Sequence, residues 1–166
     1  EAVAVLFGDD IIKSEKPAIG QLMEIFAKYN DPVAALEKVP KQNVSKYGII
    51  GGVQLDEKTW EIKNFVEKPK AEEAPSDLAA VGRYIITPEI INTLKTQKPG
   101  KDGEIRLADA FISRLSSGKP VYGCQFEGKR YDCGDKLQFV IAQIEMGLEH
   151  PEMNEGLKKY LERLNK

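Results

Sequence analysis

Glu1-Ala-Val-Ala-Val-Leu-Phe7, followed by Gly8-Asp9-Asp10, is the stretch on which the reading of the fold turns. Residues 2–7 are apolar without interruption. Such a run reads as a strand covered on both faces, the habit of a parallel sheet between helical layers. A strand of that kind needs neighbours on both sides and elements that lead into it. Its place at the start predicts that these 166 residues are the C-terminal part of a larger unit. Asp9 and Asp10 then fall just past the strand's C-terminal end, the edge at which open α/β sheets bind ligands.

Outward from this strand, helical and extended patterns alternate. Ile19, Leu22, Met23, Phe26 and Tyr29 recur at helical spacing after Pro17, and Asn30-Asp31-Pro32 stops that helix. Residues 33–39 read as a strand. Residues 47–66 read as a hairpin turning at Asp56-Glu-Lys-Thr59 and closed by Glu67-Lys68-Pro69. A polar loop over 70–77 leads to a strand over 79–86 with Gly82 inside it. Thr87-Pro88 marks an N-cap and a first helical residue. After a loop over 98–103, Ile105, Leu107, Ala108, Phe111, Ile112 and Leu115 outline a helix. A strand over 121–126 precedes Arg130-Tyr-Asp-Cys-Gly-Asp135. Next comes a helix carrying Leu137, Val140, Ile141, Ile144 and Leu148 on one face. Pro151 breaks it, and Leu157, Tyr160, Leu161 and Leu164 support a last short helix. The class is α/β with a mixed sheet, an inserted β-hairpin and C-terminal helices, in a single domain over 1–166.

Composition narrows the chemistry. The hydrophobic share of 42% and charged share of 30% describe a folded chain. At this length roughly 70% of the unfolded chain's surface can be buried. Twenty-four basic residues against 26 acidic ones give a net charge of −2 and no basic stripe, which argues against nucleic acid as a partner. No apolar run approaches the roughly 20 residues of a membrane span. No secretory leader is legible at the N-terminus. Cys124 and Cys133 lack zinc or disulfide-framework spacing, which favours a reducing cytoplasm. The single histidine, His150, precedes Pro151, which argues against Ser-His-Asp hydrolysis and against histidine-rich metal sites. A metal here would be a hard cation on carboxylates, such as Mg²⁺.

Each candidate residue has a plainer alternative. Asp9 fits a Mg²⁺ ligand facing a phosphate, or a turn. Asp132 could share that ion, or cap the helix after it. Glu67 fits an acceptor for sugar hydroxyls and Lys68 a phosphate contact; together they are equally a solvated pair before a proline turn. Gly48 allows a close backbone approach, or marks a strand kink. Glu104 reads as a carboxylate favouring the dipole of the helix it begins. Arg83 reads as a surface charge beside a bent strand.

The order of the motifs carries more weight than any one of them. Ala4-Val-Leu-Phe-Gly-Asp-Asp-Ile11, Tyr47-Gly48, Val66-Glu-Lys-Pro-Lys70, Val81-Gly-Arg-Tyr84, Gly103-Glu-Ile-Arg-Leu-Ala-Asp-Ala110 and Tyr131-Asp-Cys-Gly-Asp-Lys136 succeed one another. This succession, through essentially the whole chain, resembles the bacterial UDP-glucose pyrophosphorylases, a branch of the sugar-1-phosphate nucleotidyltransferases. The resemblance implies a partial Rossmann-like nucleotidyltransferase fold. It implies uridylyl transfer from UTP to glucose 1-phosphate, giving UDP-glucose and pyrophosphate, in a cytoplasmic homo-oligomer. Carried over by position, it implies catalytic roles for Asp9 and Lys68. Gly48, Glu67, Lys68 and Glu104 would contact substrate, and Asp9 and Asp132 would hold Mg²⁺.

The family's glycine-rich nucleotide loop, Gly-x-Gly-Thr-Arg with a following proline and lysine, has no counterpart here. The expectation is therefore a chain that supplies the sugar-phosphate and metal side and is inactive alone. Two other readings remain open. One is a non-catalytic sugar-phosphate-binding or regulatory module. The other is a related nucleotidyltransferase using dTTP, ATP or CTP.

Overall fold

The computed structural model describes residues 1–100 and 103–164. Lys101 and Asp102 of the expected 98–103 loop lie outside the described residues. Eight strands form among the described residues: β1 Val3–Leu6, β2 Asp10–Lys13, β3 Val33–Lys38, β4 Gly48–Gln54, β5 Thr59–Glu67, β6 Leu78–Ile86, β7 Val121–Gln125 and β8 Lys129–Asp132. The helices are α1 Ala18–Tyr29, α2 Pro88–Thr96, α3 Leu107–Ser116, α4 Lys136–Glu149 and α5 Asn154–Leu164, with a 3-10 turn over Lys41–Lys46.

Six strands make a mixed sheet in the order β1-β6-β3-β7-β5-β4, and β2 pairs with β8 in a separate two-stranded sheet. The sheet centre is set by composition. Val33, Ala34, Ala35 and Leu36 of β3 are all fully buried, alternating between the two faces. Val33 and Ala35 join Leu22 and Ile25 of α1, while Ala34 and Leu36 join Ile90 of α2 and Phe111 of α3. Helices on both faces explain why β3 tolerates no polar residue until Glu37.

The opening strand departs from expectation. β1 pairs antiparallel with β6 at the end of the sheet order, and the one parallel pair among the described residues is β3 with β7. Val3, Leu6 and Phe7 are 44%, 54% and 43% exposed. Of the residues of β1, Val5 packs on the core. An apolar run reports that a strand is hydrophobic, and its neighbours decide which faces are covered.

Other differences are local. Thr87 stands at the N-cap of α2, but its hydroxyl makes no capping bond. Glu104 lies before α3, which begins at Leu107 after Arg106. Asp132 is no helix cap. Asp135 caps α4 instead, accepting from the backbone of Leu137 and Gln138 at 3.0 and 3.1 Å. The hairpin forms as expected, with a register shift at Gly51/Gly52.

Strand β6 is paired unevenly along one of its sides. Its residues 78–80 pair with β4, and residues 83–86 pair with β1 on the same side. Between those partners the edge of β6 opens at Val81, while the Gly82 carbonyl still accepts from the Phe7 N–H at 2.9 Å.

Candidate active site

A cleft of about 510 Å³ occupies that opening. Asp9, Gly48, Glu67, Lys68, Glu104 and Asp132, six residues singled out from sequence and scattered over some 120 positions of chain, all line it. Gly82 is needed because Asp10 crosses it: a Cβ there would lie 2.1 Å from Asp10 Oδ2. Arg83 is no idle surface charge. Its Nη1 donates to the carbonyl of Phe7 at 3.0 Å and its Nη2 to that of Asp10, tying the acidic turn to β6.

The acidic end is built on β2 and β8. Their register sets Asp10 opposite Asp132. The Cys133 N–H donates to the carbonyl of Asp9 at 2.7 Å, drawing the two loops together. Asp9 Oδ2 and Asp132 Oδ1 each lie 3.2 Å from where a Cβ on Gly134 would sit. Both oxygens thus face one cradle that a side chain at Gly134 would crowd. Oδ2 of Asp132 accepts from the Tyr47 hydroxyl at 2.8 Å and forms an ion pair with Arg130 Nη2 at 3.2 Å. Burial works to raise the Asp132 pKa, but the Tyr47 bond and the Arg130 charge outweigh it, leaving it below the usual carboxylate value. Arg130 also pairs with Asp10 through Nε and with Glu37 through Nη1, the latter at 3.1 Å. Burial opposes its charge, yet these carboxylates hold its proton more tightly than usual.

Two hard oxygen donors facing one cradle suit a divalent cation of the Mg²⁺ type. No group of three or more His, Cys, Asp or Glu side chains able to hold a metal occurs among the described residues. A pair is nonetheless what Mg²⁺ takes when substrate phosphates and water complete its octahedron. The residues present fit the ion.

The other end is built on the hairpin. Gly48 and Glu67 are cross-strand partners at the start of β4 and the end of β5. A Cβ on Gly48 would lie 2.4 Å from Phe65 Cε1 and 2.9 Å from Glu67 Oε2. Its absence lets ring and carboxylate close over the strand. Lys68 leaves β5 with φ of 47°, its N–H donating to the Tyr47 carbonyl at 3.0 Å. Phe65 and Tyr84 both pack on Phe111, at ring separations of 6.2 and 5.7 Å. Phe65 and Tyr84 also line the cleft, giving an apolar wall beside the Glu67 carboxylate. Lys46, Lys68 and Arg106 add positive charge to the lining, with Arg106 3.7 Å from Glu104.

Sequence reasoning put Asp10 beside Asp9 at the ligand edge without giving it a role, and did not assign Tyr47, Lys46, Arg106 or Arg130 to the site. For Arg130 a signal existed. It lies two residues before Asp132, and in a strand that spacing puts both side chains on one face. Strand β8 is short and charged, so no hydrophobic alternation announced it.

A model of the nucleotidyl transferase family matches residues 1–147. The UTP–glucose-1-phosphate uridylyltransferase of Staphylococcus haemolyticus is 48% identical over 164 residues, covering 99% of this chain and 57% of that protein. Its namesake in Staphylococcus epidermidis is 45% identical over 165 residues, with 99% and 57% covered. A crystal structure of UDP-glucose pyrophosphorylase complexed with UDP-glucose superposes with a TM-score of 0.85 at 40% identity, covering 90% of this chain and 57% of the other. The chain thus spans a little over half the length of the curated relatives it matches.

Proposed function

Because the chain belongs to the nucleotidyl transferase family, we propose that the whole protein transfers a uridylyl group from UTP to glucose 1-phosphate. The products are UDP-glucose and pyrophosphate. The observation that carries this reading is the meeting of Asp9, Asp132, Gly48, Glu67, Lys68 and Glu104 around one cleft. Likeness to uridylyltransferases at 45–48% identity supports the choice of nucleotide and sugar.

In this reaction an oxygen of the sugar phosphate bonds to the α-phosphorus of UTP, and the bond from that phosphorus to pyrophosphate breaks. The protein contributes alignment and charge neutralisation. Glu67 accepts hydrogen bonds from glucose hydroxyls beside the Phe65 ring. Gly48 lets the sugar approach the backbone. Lys68 and Arg106 offset the charge of the phosphates, and Glu104 borders the sugar. Asp9 and Asp132 would hold Mg²⁺, which when bound supplies positive charge to the phosphate oxygens.

We read residues 1–166 as the C-terminal part of one nucleotidyltransferase domain, contributing mainly the sugar-phosphate and metal side. The free thiols of Cys124 and Cys133 support a cytoplasmic setting. Tyr160 and Leu164, 51% and 63% exposed on α5, support a homo-oligomer. No helix among the described residues is long and apolar enough to cross a membrane. The test is product formation by the intact protein from glucose 1-phosphate with UTP, dTTP, ATP or CTP in Mg²⁺. UDP-glucose should dominate. A preference for another triphosphate overturns the base assignment, and no nucleotide sugar from any of them overturns the transfer.

A further inference from the structure

Asp10 and Asp132 are direct cross-strand partners of the β2–β8 pair. Like charges so placed repel, and Asp10 is only 7% exposed. Arg130 resolves the conflict. Its side chain is 6% exposed, and its three guanidinium nitrogens are all directed at carboxylates. Nε meets Asp10, Nη1 meets Glu37 on β3, and Nη2 meets Asp132 Oδ2. The Tyr47 ring lies against it, with the guanidinium carbon 5.2 Å from the ring centroid, and its hydroxyl occupies the same Asp132 oxygen. A hydrogen bond from Tyr47 and an ion pair with Arg130 therefore hold Oδ2, while Oδ1 faces the Gly134 cradle with Asp9.

We propose that Arg130, supported by Tyr47, is the positioning residue of the acidic pair, orienting Asp132 so that one oxygen is presented alongside Asp9. This rests on the reading that Asp9 and Asp132 share a divalent cation. Arg130 acts through the carboxylates, since each of its nitrogens is already engaged. A planar fork is required, because a single ammonium cannot span Asp10, Glu37 and Asp132 together.

The test is Mn²⁺ affinity of the intact protein with UDP-glucose present, read from the free-ion electron paramagnetic resonance signal. Arg130→Met should weaken Mn²⁺ binding about 10- to 100-fold, the range for partners that orient metal ligands. Arg130→Lys keeps a charge beside Asp10, so it stays informative should the methionine variant not fold. It should still lose several-fold in affinity. A folded Arg130 variant that melts lower but binds Mn²⁺ as tightly as the parent has lost only a structural contact, and the proposal is overturned. Asp9→Asn separates the two layers. If it leaves Mn²⁺ affinity unchanged, the shared-cation reading falls and takes the proposal with it. If Asp9→Asn weakens binding and the Arg130 variants do not, the orienting role alone falls.

Discussion

The two ends of the cleft are built by opposite means. The acidic end is held by added side chains: Arg130 reaches three carboxylates and Tyr47 bonds one of them. The opposite end is made by a missing side chain, since Gly48 lets Phe65 and Glu67 close over the start of β4. Electrostatic order can be lost while shape is kept, whereas steric order cannot. Substitutions of Asp9 or Asp132 at the first end should therefore act on chemistry with the fold intact, while loss of the buried Arg130 would also leave Asp10 unpaired. Those at the second should act on binding and stability together.

The largest effect should come from Asp132→Asn, which keeps volume and an acceptor for Tyr47 but removes a charged oxygen from the acidic pair. We expect kcat to fall roughly 10²- to 10³-fold, with an unchanged circular dichroism spectrum. A variant that loses its fold instead would break the contrast.

Gly48→Ala should come next. The new methyl would meet the Phe65 ring at 2.4 Å. Overpacking of this kind costs about 1–3 kcal/mol, visible as a lower melting temperature alongside a raised KM for glucose 1-phosphate. An alanine variant with parental KM would mean that Phe65 yields freely and that the glycine is not shaping the pocket.

Glu67→Gln is milder, because the volume stays and only the charge of the acceptor goes. A charge-assisted bond exceeds a neutral one by about 1 kcal/mol, so affinity for UDP-glucose by calorimetry should drop roughly 5- to 10-fold. A loss confined to kcat would assign Glu67 to the acidic end instead.

The smallest effect concerns the thiols. Burial pushes Cys124 up to about 12, so at pH 8 only about one molecule in 10⁴ carries the thiolate. Half-buried Cys133 lies in the loop joining Asp9 to Asp132. Iodoacetamide should label Cys133 first, as read by peptide mass spectrometry. Faster labelling at Cys124 would show that the core opens more readily than the acidic loop.

Much of this was legible in the chain. The apolar spacing of α1, the hairpin with its Asp56 turn and the buried run of β6 all form as the pattern predicts, because each encodes its own periodicity within a dozen residues. The motif order also named six residues that do line one cleft. Their assembly was not visible. Strands β2 and β8 are four residues each, and β8 carries Lys129, Arg130 and Asp132, so no hydrophobic alternation marks the pair. The partners Arg130 and Asp10 stand 120 residues apart, and Tyr47 and Asp132 stand 85 apart. Local sequence determined which segments are helix or strand and which groups are able to do chemistry, since propensity and periodicity act over one or two turns. Only the tertiary structure decided that β1 lies at the sheet's edge, and that one buried arginine sets the direction of Asp132. Both depend on which distant segments share an edge or a charge, and hydrogen bonding and Coulomb forces act across space without regard to position along the chain.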